Sequence, residues 1–132
     1  MPTLSSRRAK RNKEQGYEVE DRARKELEAA GWWVERFYAS KGTFDIIACR
    51  GPVTRLIQIK SSKRYIVAVE SVRTAYLEDV LKMELVEFHP EIRHVELWVW
   101  FGKQKTAKDK GYRPAGWRKF FIRKGSILEV RE

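Results

Sequence analysis

The chain has 132 residues, enough for one domain that buries about 68% of its unfolded surface, and a hydrophobic content of 42% excludes global disorder. Lysine and arginine number 28 against 18 aspartates and glutamates, a formal charge of +10; this excess calls for a polyanionic partner, of which nucleic acid is the commonest. No stretch approaches the ~20 apolar residues of a membrane helix, the first 13 residues lack the apolar run of a secretory signal, and the single cysteine, Cys49, has neither a disulfide partner nor companion thiolates for zinc, so a soluble, intracellular, cytoplasmic protein is expected.

Residues 1–13 carry Arg7, Arg8, Lys10, Arg11 and Lys13 with almost no apolar content, and read as a flexible basic arm preceding a single domain over 14–132. Residues 14–30 read as a helix stopped by Gly31. At about 100° per residue, Tyr17, Val19, Ala23, Leu27 and Ala30 share one face, and Glu20 falls inside that stripe. A carboxylate on a core-facing stripe is costly unless something compensates it; the bland alternative is a solvated residue at the stripe's edge.

Three short strands are expected next, at Trp32–Tyr38, Phe44–Arg50 and Val53–Lys60, from their aromatic and β-branched content. Gly51-Pro52 makes the second and third an antiparallel hairpin. A second helix over Val72–Phe88 follows, with Ser71 as N-cap and Pro90 as stop. His94–Phe101 is a strongly apolar strand, 102–118 a basic loop, and Lys119–Arg123 with Ile127–Val130 edge strands around a Lys124-Gly125 turn. The expected architecture is α/β: an αβββαβ core, a central mixed sheet flanked by helices, and a C-terminal β extension.

In the third strand, side chains alternate between faces, so Gln58 and Lys60 project to one side, with the Ile59 carbonyl between them. Asp45 stands near the start of the neighbouring strand and can meet them where the hairpin's open end splays. A carboxylate, an amide oxygen and a backbone carbonyl are hard oxygen donors of the kind that suit Mg²⁺, which keeps several of its waters. Lys60 beside such an ion can orient or deprotonate an attacking water, or stabilise charge developing on phosphorus.

Phe44-Asp45-Ile46-Ile47-Ala48 followed by Gln58-Ile59-Lys60 resembles the signature of the PD-(D/E)xK nuclease superfamily, with Phe44 in place of the usual proline. Upstream, Gly16-Tyr17-Glu18-Val19-Glu20-Asp21-Arg22, then Leu27 and Gly31-Trp32, resembles the first helix of archaeal Holliday junction resolvases, where a glutamate precedes a glycine by the separation of Glu20 and Gly31. Ala39-Ser40-Lys41-Gly42-Thr43-Phe44-Asp45 resembles their loop, in which a serine precedes the catalytic aspartate. The match covers roughly residues 14–64. It implies a restriction-endonuclease-like fold and a Mg²⁺-dependent endodeoxyribonuclease, with Mn²⁺ as a substitute ion. Catalytic roles fall on Glu20, Ser40, Asp45, Gln58 and Lys60; the metal falls to Asp45, Gln58, the Ile59 carbonyl and Glu20. Two departures are present: Gln58 stands where most relatives have an acid, giving a QxK variant, and Val69-Glu70-Ser71-Val72-Arg73 lacks the glutamine with which resolvases open their second helix.

DNA, branched DNA included, is the partner implied, held at its phosphates by the basic arm, Lys41, Lys63 and Arg64, with Lys103, Lys105, Lys108, Lys110 and Arg113 further along. About six phosphate contacts give a salt slope near −5. Tyr112 and Trp117 are read as core-packing, and His89 and His94 as structural rather than a metal pair. The family's resolvases are dimers, and the apolar content of 77–88 and of the 94–101 strand gives a homodimer a physical basis. Other readings kept open are a restriction-type or repair endonuclease of the same fold, a non-catalytic nucleic-acid-binding module, and an RNA target.

Overall fold

The computed structural model describes residues 4–37, 42–105 and 112–131, with the side chains of 4–15, 17, 104, 105, 112 and 113 outside that description. Helix α1 runs Leu4–Ala29, longer at its start than the apolar stripe indicates. Residues 4–13, read as a basic arm, are helical: Arg, Lys, Ala, Glu and Gln are good helix formers, and their propensity carries the helix where no apolar face is present. The far end is as read. Gly31 N–H donates to the Glu28 carbonyl at 3.0 Å and Trp32 N–H to the Leu27 carbonyl at 3.0 Å, a Schellman closure. Gly31 adopts φ +89°, open to glycine at little cost. Gly31→Ala is expected to destabilise the chain by about 1–2 kcal/mol through the left-handed backbone alone, because an added Cβ meets nothing closer than Arg50 Cδ at 4.0 Å. An unchanged urea midpoint would contradict this.

Strands β1 (Trp33–Arg36), β2 (Ile46–Arg50) and β3 (Val53–Ser62) form an antiparallel meander. Arg50 pairs with Val53 across the two-residue Gly51-Pro52 turn, where Gly51 takes the positive φ of 57° that a tight hairpin needs. The expected single second helix is two: α2 (Val69–Ala75) and α3 (Leu77–Met83), broken at Tyr76. Its N-cap is Ala68, not Ser71, and no side chain caps it. Strand β4 (Arg93–Phe101) then lies parallel to β3. Residues expected as a basic loop include a short pair, β5 (Gln104–Lys105) and β6 (Tyr112–Arg113). Strands β7 (Gly116–Arg123) and β8 (Ser126–Val130) complete a six-stranded mixed sheet in the order β1-β2-β3-β4-β7-β8. Only β8 of the last two is an edge; β7, expected at an edge, lies inside, paired with β4 and β8.

The helices cover both faces of this α/β fold. Val19, Ala23 and Leu27 of α1 pack on Ile46, Ala48, Ile57, Ile59 and Trp98. Val72, Val80 and Met83 pack on the opposite face against Val95, Leu97, Val99, Phe101, Phe120 and Ile122. Because β4 is covered on both sides, its apolar run is near-continuous rather than alternating. One charge is sealed into the α1 face: Glu96 is 1% exposed. Arg55 donates to it through Nε at 2.6 Å and Nη2 at 2.7 Å, and Trp98 Nε1–H donates at 2.9 Å. The Arg55 guanidinium also lies 4.7 Å from the Trp32 ring centroid.

Candidate functional site at the β2–β3 corner

Asp45 immediately precedes β2 and is held from two sides. Its N–H donates to the Ile57 carbonyl at 2.9 Å, and its own carbonyl accepts from Phe37 N–H at 3.0 Å. The Asp45 carboxylate then does what a further strand residue would do: Oδ2 accepts the Ile59 N–H at 2.8 Å. Backbone and side chain of Asp45 thus both bond to β3, one residue before β2 begins. The N–H and C=O of one strand residue point to the same neighbour, so the Ile59 carbonyl faces this corner beyond the end of β2.

Ile57 and Ile59 pack toward α1, so alternation sends Gln58 and Lys60 to the other face, toward α3. Gln58 is 7% exposed. Lys60 Nζ lies 3.0 Å from Asp79 Oδ2 of α3. Asp79 was not singled out in the sequence, although a signal existed: it sits beside Val80 and four residues before Met83, both buried, the same anomaly of an acid next to an apolar stripe that marked Glu20.

Glu20 of α1 is partly buried and faces Arg36 of β1, with Nη2 3.5 Å from Oε2. Its pKa is raised, first by burial and then by repulsion from Asp45, against the attraction of Arg36. The Asp45 pKa is raised too: burial dominates, the Ile59 N–H and Lys60 oppose it, and Asp79 adds repulsion. Glu20, Asp45, Lys60 and Asp79 are therefore linked electrostatically in a chain around the end of β2. Among the described residues, no three His, Cys, Asp or Glu side chains converge tightly enough to hold a metal by themselves. An ion at this corner has to rely on Asp45 together with neutral oxygens, the Ile59 carbonyl and the Gln58 amide, a donor set compatible with a largely hydrated Mg²⁺.

Of the other expected residues, Ser40 and Lys41 lie outside the described residues, as do the side chains of Arg7, Arg8, Lys10, Arg11 and Lys13. Lys63 and Arg64 are exposed just after β3, in a bend shaped by Ser62 Oγ–H donating to the Arg64 carbonyl at 2.7 Å. Trp117 packs edge-on to Trp98 and Trp100 at 5.4 and 5.1 Å. His94 stacks on Phe88 at 5.4 Å, and its Nε2 lies 2.8 Å from the Pro90 carbonyl. The 94–101 strand, read as surplus apolar surface, is core. Exposed apolar side chains lie instead on α3 and just after it, at Leu77, Leu81 and, at 86%, Leu85, and elsewhere at Trp33, Phe37, Val67, Ile92 and Leu128. No helix of the described residues is long and apolar enough to cross a membrane. No family model, curated protein or solved structure matches this chain.

Proposed function

We propose that the chain is a Mg²⁺-dependent DNA endonuclease of the PD-(D/E)xK type, hydrolysing phosphodiester bonds and selecting branched structures as a Holliday junction resolvase does, and acting as a homodimer. The observation that carries this reading is the seat of Asp45: its carboxylate is fixed on β3 by the Ile59 N–H, next to the strand residues Gln58 and Lys60. Asp45, the Ile59 carbonyl and Gln58 would hold the ion, with Glu20 behind Asp45 reaching it through water. When bound, Mg²⁺ supplies positive charge against the charge that develops on the phosphoryl oxygens. Asp45 and the Ile59 carbonyl fix where that charge sits. Lys60 places its ammonium at the attacked phosphorus to orient water and offset negative charge. In a symmetric dimer, the exposed Leu77, Leu81 and Leu85 are apolar side chains that the interface would bury.

Asp79 enters as the residue that positions Lys60. Asp79→Asn is expected to lower kcat about 10–100-fold, the scale seen for partners of catalytic groups, with KM unchanged, while Asp79→Glu restores most of the rate. Equal losses in both variants, or a change in KM alone, would remove that role.

A second reading, a non-catalytic nucleic-acid-binding module, is favoured by the neutral Gln58 and by the engagement of Lys60 with Asp79. Incubation with supercoiled, four-way-branched and linear DNA, with Mg²⁺, with Mn²⁺ and with chelator, separates the two. Metal-dependent cutting supports the nuclease; binding without cutting on every substrate rejects it. Symmetric paired nicks near the crossover select junction resolution over a restriction-type or repair activity of the same fold.

A further inference from the structure

Beyond Lys60, strand β3 ends in Ser61 and Ser62, and there the sheet and α1 enclose a cleft of about 370 Å³. It opens on the α1 side of the sheet, separate from the Asp45 corner. Arg22, Lys63 and Lys103 line it against one carboxylate, Glu18, and the Ser61 hydroxyl adds a neutral donor, while that of Ser62 is given to the Arg64 carbonyl. The Arg22 guanidinium lies over the Trp100 ring at 4.3 Å. That contact with the indole face restrains the guanidinium, whose N–H groups form a fork matched to a phosphate or carboxylate. The cleft is near the small end of ligand-pocket volumes, and its polar and cationic lining fits a phosphodiester better than an apolar ligand.

We infer that this cleft is a phosphodiester subsite: Arg22, held over Trp100, binds one backbone phosphate of a DNA strand with the help of Ser61, Lys63 and Lys103. The subsite rests on DNA as the partner and not on cleavage.

The test is binding of fluorescein-labelled duplex and four-way DNA by the full chain in chelator, followed by anisotropy between about 50 and 200 mM salt. Arg22→Ala is expected to weaken binding about tenfold, the scale of one charge-assisted hydrogen-bonding group, and to reduce the salt slope by about 0.9, one phosphate. Arg22→Lys is expected to keep the slope with lower affinity, and Ser61→Asp, at an exposed position, to weaken binding at unchanged melting temperature. An Arg22→Ala slope equal to wild type, or Ser61→Asp binding as tightly as wild type, overturns the subsite. Displacement of the DNA by millimolar inorganic phosphate or a mononucleotide as readily as by an oligonucleotide assigns the cleft to a free phosphate ligand and overturns the strand assignment. Because no metal is present, the outcome is independent of cleavage: a reduced slope in a chain that cuts nothing keeps the subsite and removes the nuclease, and an unchanged slope in a chain that cuts does the reverse.

Discussion

Asp45→Asn is expected to lose metal-dependent cleavage by about 10³-fold or more, the scale set by removing a group that places charge at the reacting centre, while melting no lower than the wild-type chain. The two halves of this outcome come from the same burial. The native carboxyl has its pKa raised above its ordinary 3.8, so between the unfolded and native values the folded chain binds more protons than the unfolded one. Stability then falls as pH rises through that window, and at neutral pH the ionised group is a net cost. Asparagine keeps an oxygen for the Ile59 N–H and removes the charge that repels Glu20 and Asp79. Glu20→Gln should shift stability in the same direction, since burial again leads the causes of its raised pKa. Thermal melts at pH 4 and pH 8 beside a cleavage assay check both halves. A variant that is inactive and also melts much lower would mean that Asp45 is chiefly structural, and the corner would lose its claim to chemistry.

Arg55→Ala is expected to cost about 3–5 kcal/mol, the penalty for leaving a buried charge without its partner. Glu96 is 1% exposed and takes both of its strong cationic hydrogen bonds from Arg55; Trp98 Nε1–H is a single neutral donor and cannot replace them. A chain of this size has a total stability of about 5–15 kcal/mol, so the loss is a large share of the whole. Arg55→Leu combined with Glu96→Leu should recover much of it, because an ion pair replaced by apolar groups of similar volume is often neutral or better. Urea denaturation of both variants reads the difference. If the single substitution costs under about 1 kcal/mol, water reaches Glu96 and the pair behaves as a surface bridge.

The sequence announced the parts of this fold whose signals are local. Gly31 closes α1, Gly51 turns the hairpin, and the aromatic and β-branched runs mark β1 to β4. Asp45, Gln58 and Lys60 could be placed together because hairpin register and strand alternation are short-range rules. What was missed depended on weaker or longer-range terms. The first residues of α1 are helical by summed propensity, with no stripe to display it. The break at Tyr76 carries neither Gly nor Pro. The interior place of β7 follows from its pairing with β4, which no pattern within β7 records. Arg36 and Asp79 flank the corner from β1 and α3, and only the assembled sheet shows that their partners are Glu20 and Lys60.

The parallel pairing of β3 with β4 is also expected to divide the chain's assembly in time. The β1–β2–β3 meander closes through short-range contacts, so Asp45 can meet Gln58 and Lys60 early, whereas β4 must wait for the whole 63–92 crossover to be placed. Long-range parallel closure is the slow class of folding event. Asp79 travels on that crossover, so the strand corner is drawn together first and the grip on the Lys60 amine arrives last, when the sheet's centre docks.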